Sequence, residues 1–372
     1  MRVVHVFKDY FPPTTGGIEQ HVQLVCRGLA RTLDVAVLVP SRSRRRVEER
    51  LDGVQVVRVA ELGRYAAVPL CPTMPWELAR LRPDVVHLHY PNPMGDLAYM
   101  LGARRAPLVI THHADVIRQR RLLPLYRPLE RAVFRRARRI IASAPQNLAS
   151  SELLSRNRER CTVIPYGIEL RSFALTDSEA AEVSGRRTQG TGSVLFVGVL
   201  RPYKGLDVLL GAMDRVQARL VIVGRGPARR ALETLAAQLG VADRVAFAGE
   251  VSESDRRVLL HACDVFVLPS IDRREAFGIA QLEAMACGKP VVASDLATGV
   301  RFVTRHEETG LLVPPRDPDA LAAALNRLLG DPGLCARLGN AARRRVEQEF
   351  SAERMVGRTM EVYERVVQRS AD

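Results

Sequence analysis

Short β-branched apolar runs alternate with segments of helical periodicity along nearly the whole chain, and this alternation limits the possible folds more than any other feature. In the first half VVHVF, VAVLVP, VQVVRV, DVVHLHY, PLVITHH, ARRIIASA and CTVIPYG read as strands. IEQHVQLVCRGLA, MPWELARL and DLAYMLGARR lie between them and read as helices. Strands that alternate with helices predict an α/β class with a parallel, doubly wound sheet, because the helix supplies the crossover that a parallel neighbour needs. SEAAEVSGRRTQGTGS is small, polar and glycine-containing, and it predicts a linker or domain edge. The alternation then restarts, with SVLFVGV, RLVIVG, RVAFAG, DVFVLPS, PVVAS and GLLVPP as strands and LDVLLGAM, ARRALETLAAQLG, ESDRRVLLHA and IAQLEAMAC as helices. DPDALAAALNRLLG and SAERMVGRTMEVYERVVQRS close the chain as amphipathic helices. A length of 372 residues suits two such domains. Open α/β sheets bind ligands at the carboxyl ends of their strands, so two facing sheets predict a central cleft lined by loops of both.

Composition narrows the function classes. Hydrophobic residues at 47% and charged residues at 26% are ordinary for a globular protein. The opening MRVVHVFKDYFPP is interrupted by Lys8 and Asp9, too polar for a secretory core. No stretch approaches the roughly 18–20 apolar residues of a membrane span, so a cytoplasmic protein is expected. The six cysteines are scattered without a C-x-x-C pair, which reads as small buried hydrophobes in a reducing compartment rather than a disulfide frame or zinc site. The net charge is +14, and all but three of the 55 basic residues are arginines. A GC-rich coding bias accounts for such a preference without any partner. The charge is nevertheless uneven: from Arg118 to Arg139 nine arginines stand against Glu130 alone. Leu125, Leu129, Ala132, Val133 and Phe134 recur there at approximately helical spacing, predicting a basic amphipathic helix. Such a helix suits an anionic membrane surface. A solvated face is the alternative, and no nucleic-acid-binding signature accompanies the run.

The strongest constellation is EAFGIAQLE, with Glu275 and Glu283 eight positions apart. On one continuous helix that spacing puts both carboxylates on roughly one face. Gly278 is expected to open the helix, leaving Glu275 in the preceding loop beside free amide donors that favour anions. Two solvated carboxylates are the plain alternative, weakened by the apolar Ile279, Leu282, Ala284, Met285 and Ala286 around them.

Here the sequence resembles glycosyltransferase family 4, the retaining E-x7-E group with the GT-B fold of two Rossmann-like domains. The likeness covers nearly the whole chain through PPTTGGIEQHV, DVVHLHYPNPMGD, THHAD, VIPYGI, VGVLRPYKGLDVLL, IVGRGP, EAFGIAQLEAMACGKPVVAS and ETGLLVPP. It implies an acceptor-binding domain over 1–172, with the helix of 351–372 packed back on it, and a donor-binding domain over 173–350. It also implies that Lys204 faces the diphosphate of a nucleoside diphosphate sugar, where developing negative charge needs a cation. Gly16 and Gly17 let the backbone approach the donor closely. Glu283 matches the residue on the donor ribose and Glu275 the one beside the transferred sugar. Gly224, Val251 and the amides of Ala276, Phe277 and Gly278 join the donor set, and His113 matches the sugar-side histidine. Asn92 and Asp115 are acceptor-side candidates. The sequence departs from the family where an arginine normally follows the strand-end glycine: Val199 stands there, with Arg201 two residues on.

Two patterns imitate metal sites. Asp317 and Asp319 form D-x-D but directly precede a helix, where a cap is the ordinary role. His87 and His89 lack an accompanying H-E-x-x-H or similar ligand set. No metal or other cofactor is expected. The resemblance implies retaining, metal-independent transfer of a hexose-type sugar to a hydroxyl acceptor, either a glycan or glycolipid at the cell surface or a soluble small molecule. A non-catalytic nucleotide-sugar or nucleic-acid binding protein is the rival from outside that class.

Overall fold

The computed structural model describes residues 1–14, 16–65, 68–116, 123–186 and 192–368. The chain divides into two compact units, Met1–Gly167 with Ala352–Asp372, and Ile168–Ser351.

The sheet of the first unit runs, in spatial order, Cys161–Val163, Ala137–Ala142, Leu108–His112, Val85–Tyr90, Arg2–Val6, Asp34–Pro40, Val54–Val59 and Val47–Leu51. All neighbours are parallel except the last pair. The central strands are buried on both faces, which explains their unbroken apolar character. Helices Gly17–Leu29 and Ala352–Gln368 pack on one face around Val3, Val37, Val85 and Val109. Helices Met74–Arg80, Pro93–Gly102 and Leu123–Arg136 cover the other. The closing helix belongs here because Met355, Thr359, Val362, Tyr363 and Val366 form one buried stripe at spacings of three and four. Gly28 permits the contact with its neighbour, since a Cβ there would lie 2.5 Å from a Val356 methyl.

The second unit holds six parallel strands in the order Val245–Gly249, Ala218–Val223, Gly192–Val197, Val265–Leu268, Val291–Ser294 and Gly310–Val313. In both units the first strand is central and the chain leaves it to both sides. That reversal creates a notch at the carboxyl ends of the two middle strands.

Two local expectations need correction, and two further elements were not foreseen. The edge strand Val47–Leu51, VEERL, is mostly exposed and charged, so it carries no apolar alternation to reveal it. The predicted linker begins as a helix, Asp177–Arg186, held by Val183 against Val258 and Ala262 and by a 2.6 Å ion pair from Glu179 to Arg257. Helix Pro332–Glu349 was not foreseen, because its surface is largely arginine and its buried stripe is only Leu338, Ala342, Arg345 and Val346 with Gly339. The basic segment is a helix only to Arg136: Arg138 and Arg139 lie on strand Ala137–Ala142, and Leu125 is 85% exposed rather than part of the packed face. Arg118, Arg120 and Arg121 lie outside the described residues.

Met355 is 3% exposed, and its sulfur accepts a hydrogen bond from the Gly167 amide, 3.1 Å away, where the chain leaves the first unit. Met355→Ala is expected to destabilise the protein by about 2–5 kcal/mol in equilibrium denaturation, through the cavity left under the closing helix.

Candidate active site

In the second unit the notch lies between the loops that leave strands Gly192–Val197 and Val265–Leu268. Gly205 has φ +68, and a Cβ on it would sit 2.0 Å from the Pro269 carbonyl oxygen, so glycine lets the two loops touch. The Ile271 amide donates to the Tyr203 carbonyl at 2.9 Å and fixes their register. Lys204 is thereby aimed at Glu275, its Nζ donating to Oε2 at 2.5 Å, and Ser270 Oγ donates to the same oxygen at 2.8 Å. The lysine and glutamate side chains are 13% and 9% exposed. Burial works against the charged lysine, but the carboxylate beside it, with Tyr203, outweighs this and holds the Lys204 pKa above its ordinary value.

Gly278 caps helix Ile279–Ala286 at φ +76, so Glu275 stands in the loop before the helix, as its spacing from Glu283 and the glycine predict. Neither the Ala276 nor the Gly278 amide has an acceptor among the described residues. Phe277 is buried, its ring edge-on to Phe350. Glu283, 7% exposed, faces Arg256 at 3.3 Å, and burial raises its pKa although the guanidinium opposes this. Gly224 has φ +129 and donates to the Gly249 carbonyl at 2.7 Å; a Cβ there would lie 2.0 Å from the Gly198 oxygen. It is therefore what lets adjacent strand ends converge. Val251 opens the turn into helix Glu253–Ala262, which carries Arg256. Arg201 is exposed and its guanidinium has no hydrogen-bonded or ion-paired partner among the described residues, while Val199 is 45% exposed.

The candidates of the first unit are mostly buried. Gly16 caps helix Gly17–Leu29 without a side chain, and the Glu19 carboxylate folds over that end, only 2.1 Å from where a Gly16 Cβ would stand. Asn92 caps helix Pro93–Gly102 through a 3.2 Å bond from the Gly95 amide and is 2% exposed. Asp115 accepts from Ser151 Oγ at 2.6 Å and lies 3.1 Å from His112 Nε2. His113 is 1% exposed, with Nδ1 2.6 Å from the Tyr166 hydroxyl and Nε2 3.0 Å from His89 Nδ1.

His113 ends a row that sequence reading missed. His89 Nε2 lies 2.9 Å from His5 Nδ1, His5 Nε2 3.2 Å from the Tyr363 hydroxyl, that hydroxyl 2.5 Å from His87 Nδ1, and His87 Nε2 2.7 Å from Thr111 Oγ1. His5, His87 and His89 are also near enough to one another to hold a metal ion. Their nitrogens already face hydrogen-bonding partners, however, and no carboxylate belongs to the group. The signal in the sequence is parity: H-x-H and T-x-H put His87 with His89 and Thr111 with His113 on one sheet face. Asp317 is a helix cap, accepting from the Asp319 and Ala320 amides. Ser270, Arg256, Tyr166 and the buried Asp96 were likewise not singled out beforehand.

Comparison with known proteins identifies the family of the chain. "Glycosyl transferases group 1" matches residues 178–345 and "Glycosyltransferase Family 4" matches residues 15–172. The chain is 33% identical over 368 residues to the O-antigen chain mannosyltransferase C of Escherichia coli, covering 98% of each. The chain belongs to the group 1, family 4 glycosyltransferases. It is 37% identical over 356 residues to the D-rhamnosyltransferase WbpZ of Pseudomonas aeruginosa, covering 95% of this glycosyltransferase and 93% of the relative. Anabaena HepE, solved in complex with UDP-glucose, shares the fold at TM-score 0.78 and 21% identity, over 97% of this chain and 100% of that one. These likenesses agree with the GT-B class of two Rossmann-like domains.

Burial lowers the pKa of His5 and His21 to about 3 and pushes those of His87, His89 and His113 well below the ordinary value. Such rings stay neutral when folded and take up protons when unfolded below about pH 6.5, so stability is present above that pH and lost as pH falls. Each ring costs about 1.4 kcal/mol at pH 5.5. Asp96, pushed up to about 7 by burial, acts in the opposite sense and offsets roughly one ring. Equilibrium denaturation is expected to show a net loss of at least about 3 kcal/mol between pH 7 and pH 5.5.

Proposed function

We propose that this glycosyltransferase moves a hexose-type sugar, with retention and without a metal, from a nucleoside diphosphate sugar to a hydroxyl acceptor in cell-surface glycan or glycolipid assembly. The observation that carries the reading is the Lys204–Glu275 pair at the strand-end notch, beside amides that have no acceptor. A diphosphate entering there meets a cation and N–H donors already oriented, which is how charge on a leaving group is stabilised. Lys204 takes the diphosphate and Glu275 the hydroxyls of the transferred sugar. Glu283 takes the ribose, while Gly16, Gly17, Gly224, Val251, Ala276, Phe277 and Gly278 shape the donor site. Arg201, exposed and unpaired, stands in for the family arginine that Val199 replaces. His113 serves the sugar, and Asp115 and Asn92 belong to the acceptor side. The departing phosphate helps to take the acceptor proton, so no carboxylate need act as nucleophile, and the protein contributes position and charge. The O-antigen mannosyltransferase relative and the HepE complex with UDP-glucose support this donor and acceptor chemistry.

Among the described residues no helix is long and apolar enough to cross a membrane. Helix Leu123–Arg136 instead exposes Arg127, Arg131, Arg135 and Arg136 around Leu125, which supports peripheral binding to the anionic cytoplasmic face.

Thermal stability measured against UDP, GDP, ADP and dTDP, with and without EDTA, tests the donor site. One diphosphate at a hundred times its Kd should add about 2.7 kcal/mol without metal. That gain should vanish in Lys204→Ala and Glu283→Ala; stabilisation by none of the four counts against the reading. Sedimentation with phosphatidylglycerol vesicles, but not with phosphatidylcholine vesicles, should be lost when the four helix arginines become glutamine. Equal binding by both proteins would remove the membrane role of this helix.

A further inference from the structure

The row of rings behind His113 contains Tyr166, His113, His89, His5, Tyr363, His87 and Thr111, joined end to end by six contacts of 2.5–3.2 Å. Its four histidines and Tyr363 are each at most 2% exposed. Strand register assembles it: His5 pairs with His87 and His89 with Thr111, while Tyr363 arrives from helix Ala352–Gln368.

A neutral imidazole has one N–H and one bare nitrogen, so each histidine in such a row donates once and accepts once. If Tyr166 donates to His113 Nδ1, then His113 Nε2–H donates to His89 Nδ1 and His89 Nε2–H to His5 Nδ1. His5 Nε2–H then donates to the Tyr363 oxygen, Tyr363 O–H to His87 Nδ1, and His87 Nε2–H to Thr111. Reversing one bond reverses them all. A break at Tyr363, with both neighbours donating to its oxygen, would leave its buried hydroxyl proton without an acceptor, at a cost of about 1–3 kcal/mol. Burial also disfavours an extra proton on any of the rings.

We propose that these groups form one cooperative tautomeric unit, in which Tyr363 is a positioning residue that ties, through His5 and His89, the proton position on His113 to that on His87. Two neutral arrangements exist: all four histidines protonated at Nε2, or all four at Nδ1. The closing helix thus couples the choice of donor or acceptor that His113 presents, to any group that displaces Tyr166, to the state of His87 and Thr111 at the far end of the row. The bearing of this on sugar transfer rests on His113 serving the sugar; the coupling itself does not.

Ring ¹⁵N chemical shifts, measured on uniformly labelled full-length protein with histidine assignments by substitution, distinguish the tautomers. The wild type should show His5, His87, His89 and His113 in the same form. Tyr363→Phe keeps the ring packing and removes the link, and should change the tautomer balance at His113, the third ring along the row. Tyr166→Phe, at the other end, should change it at His5 as well as His113. Mixed tautomers in the wild type overturn the proposal, and so do shifts confined to the ring beside each substitution. His113→Gln separates the two readings: unchanged release of nucleoside diphosphate from the sugar nucleotide would remove His113 from transfer while leaving the coupling intact.

Discussion

Parallel pairing is the constraint from which the rest follows. Strands that all run one way bring their carboxyl ends to one edge, and every loop leaving that edge belongs to the same rim. Because the first strand of each unit is central, the chain departs to both sides of it, and the two departing loops cannot close over the gap. In the second unit that gap is where Lys204 and Glu275 meet. Glycine at 205 and 224 is needed for a related reason: the strand ends come so close that a side chain would strike a carbonyl oxygen.

Charge at the site is balanced internally. Lys204 is neutralised by Glu275 and Glu283 by Arg256. A buried ion left alone would be costly, so the buried Lys204, Glu275 and Glu283 each have a resident partner, whereas the exposed Arg201 has none among the described residues.

The sheets were legible because their central strands are buried on both faces and therefore read as nearly uninterrupted apolar runs. Every strand listed from the sequence exists, whereas the charged Val47–Leu51 and the arginine-covered helix Pro332–Glu349 escaped for lack of such a pattern. Lys204 and Glu275 were legible as members of local motifs, although their contact spans 71 positions and required the fold. The histidine row was not. His87 and Tyr363 are 276 residues apart, and neither parity nor motif connects them. Arg201 differs again: its place beside Val199 was visible, but an exposed side chain without a partner has no single geometry for sequence to specify.

The membership of helix Ala352–Gln368 in the first unit has a consequence for biosynthesis. During translation the sheet of residues 2–163 is made early, yet the face bearing His5, His87 and Tyr10 is covered only in part, by helix Gly17–Leu29, until helix Ala352–Gln368 emerges. The second unit is continuous in sequence and has all its parts before that moment. The unit of the pair that is begun first on the ribosome is therefore completed after the other, and a released chain cut short near residue 350 would join a complete second unit to a first unit whose polar interior is partly open to water.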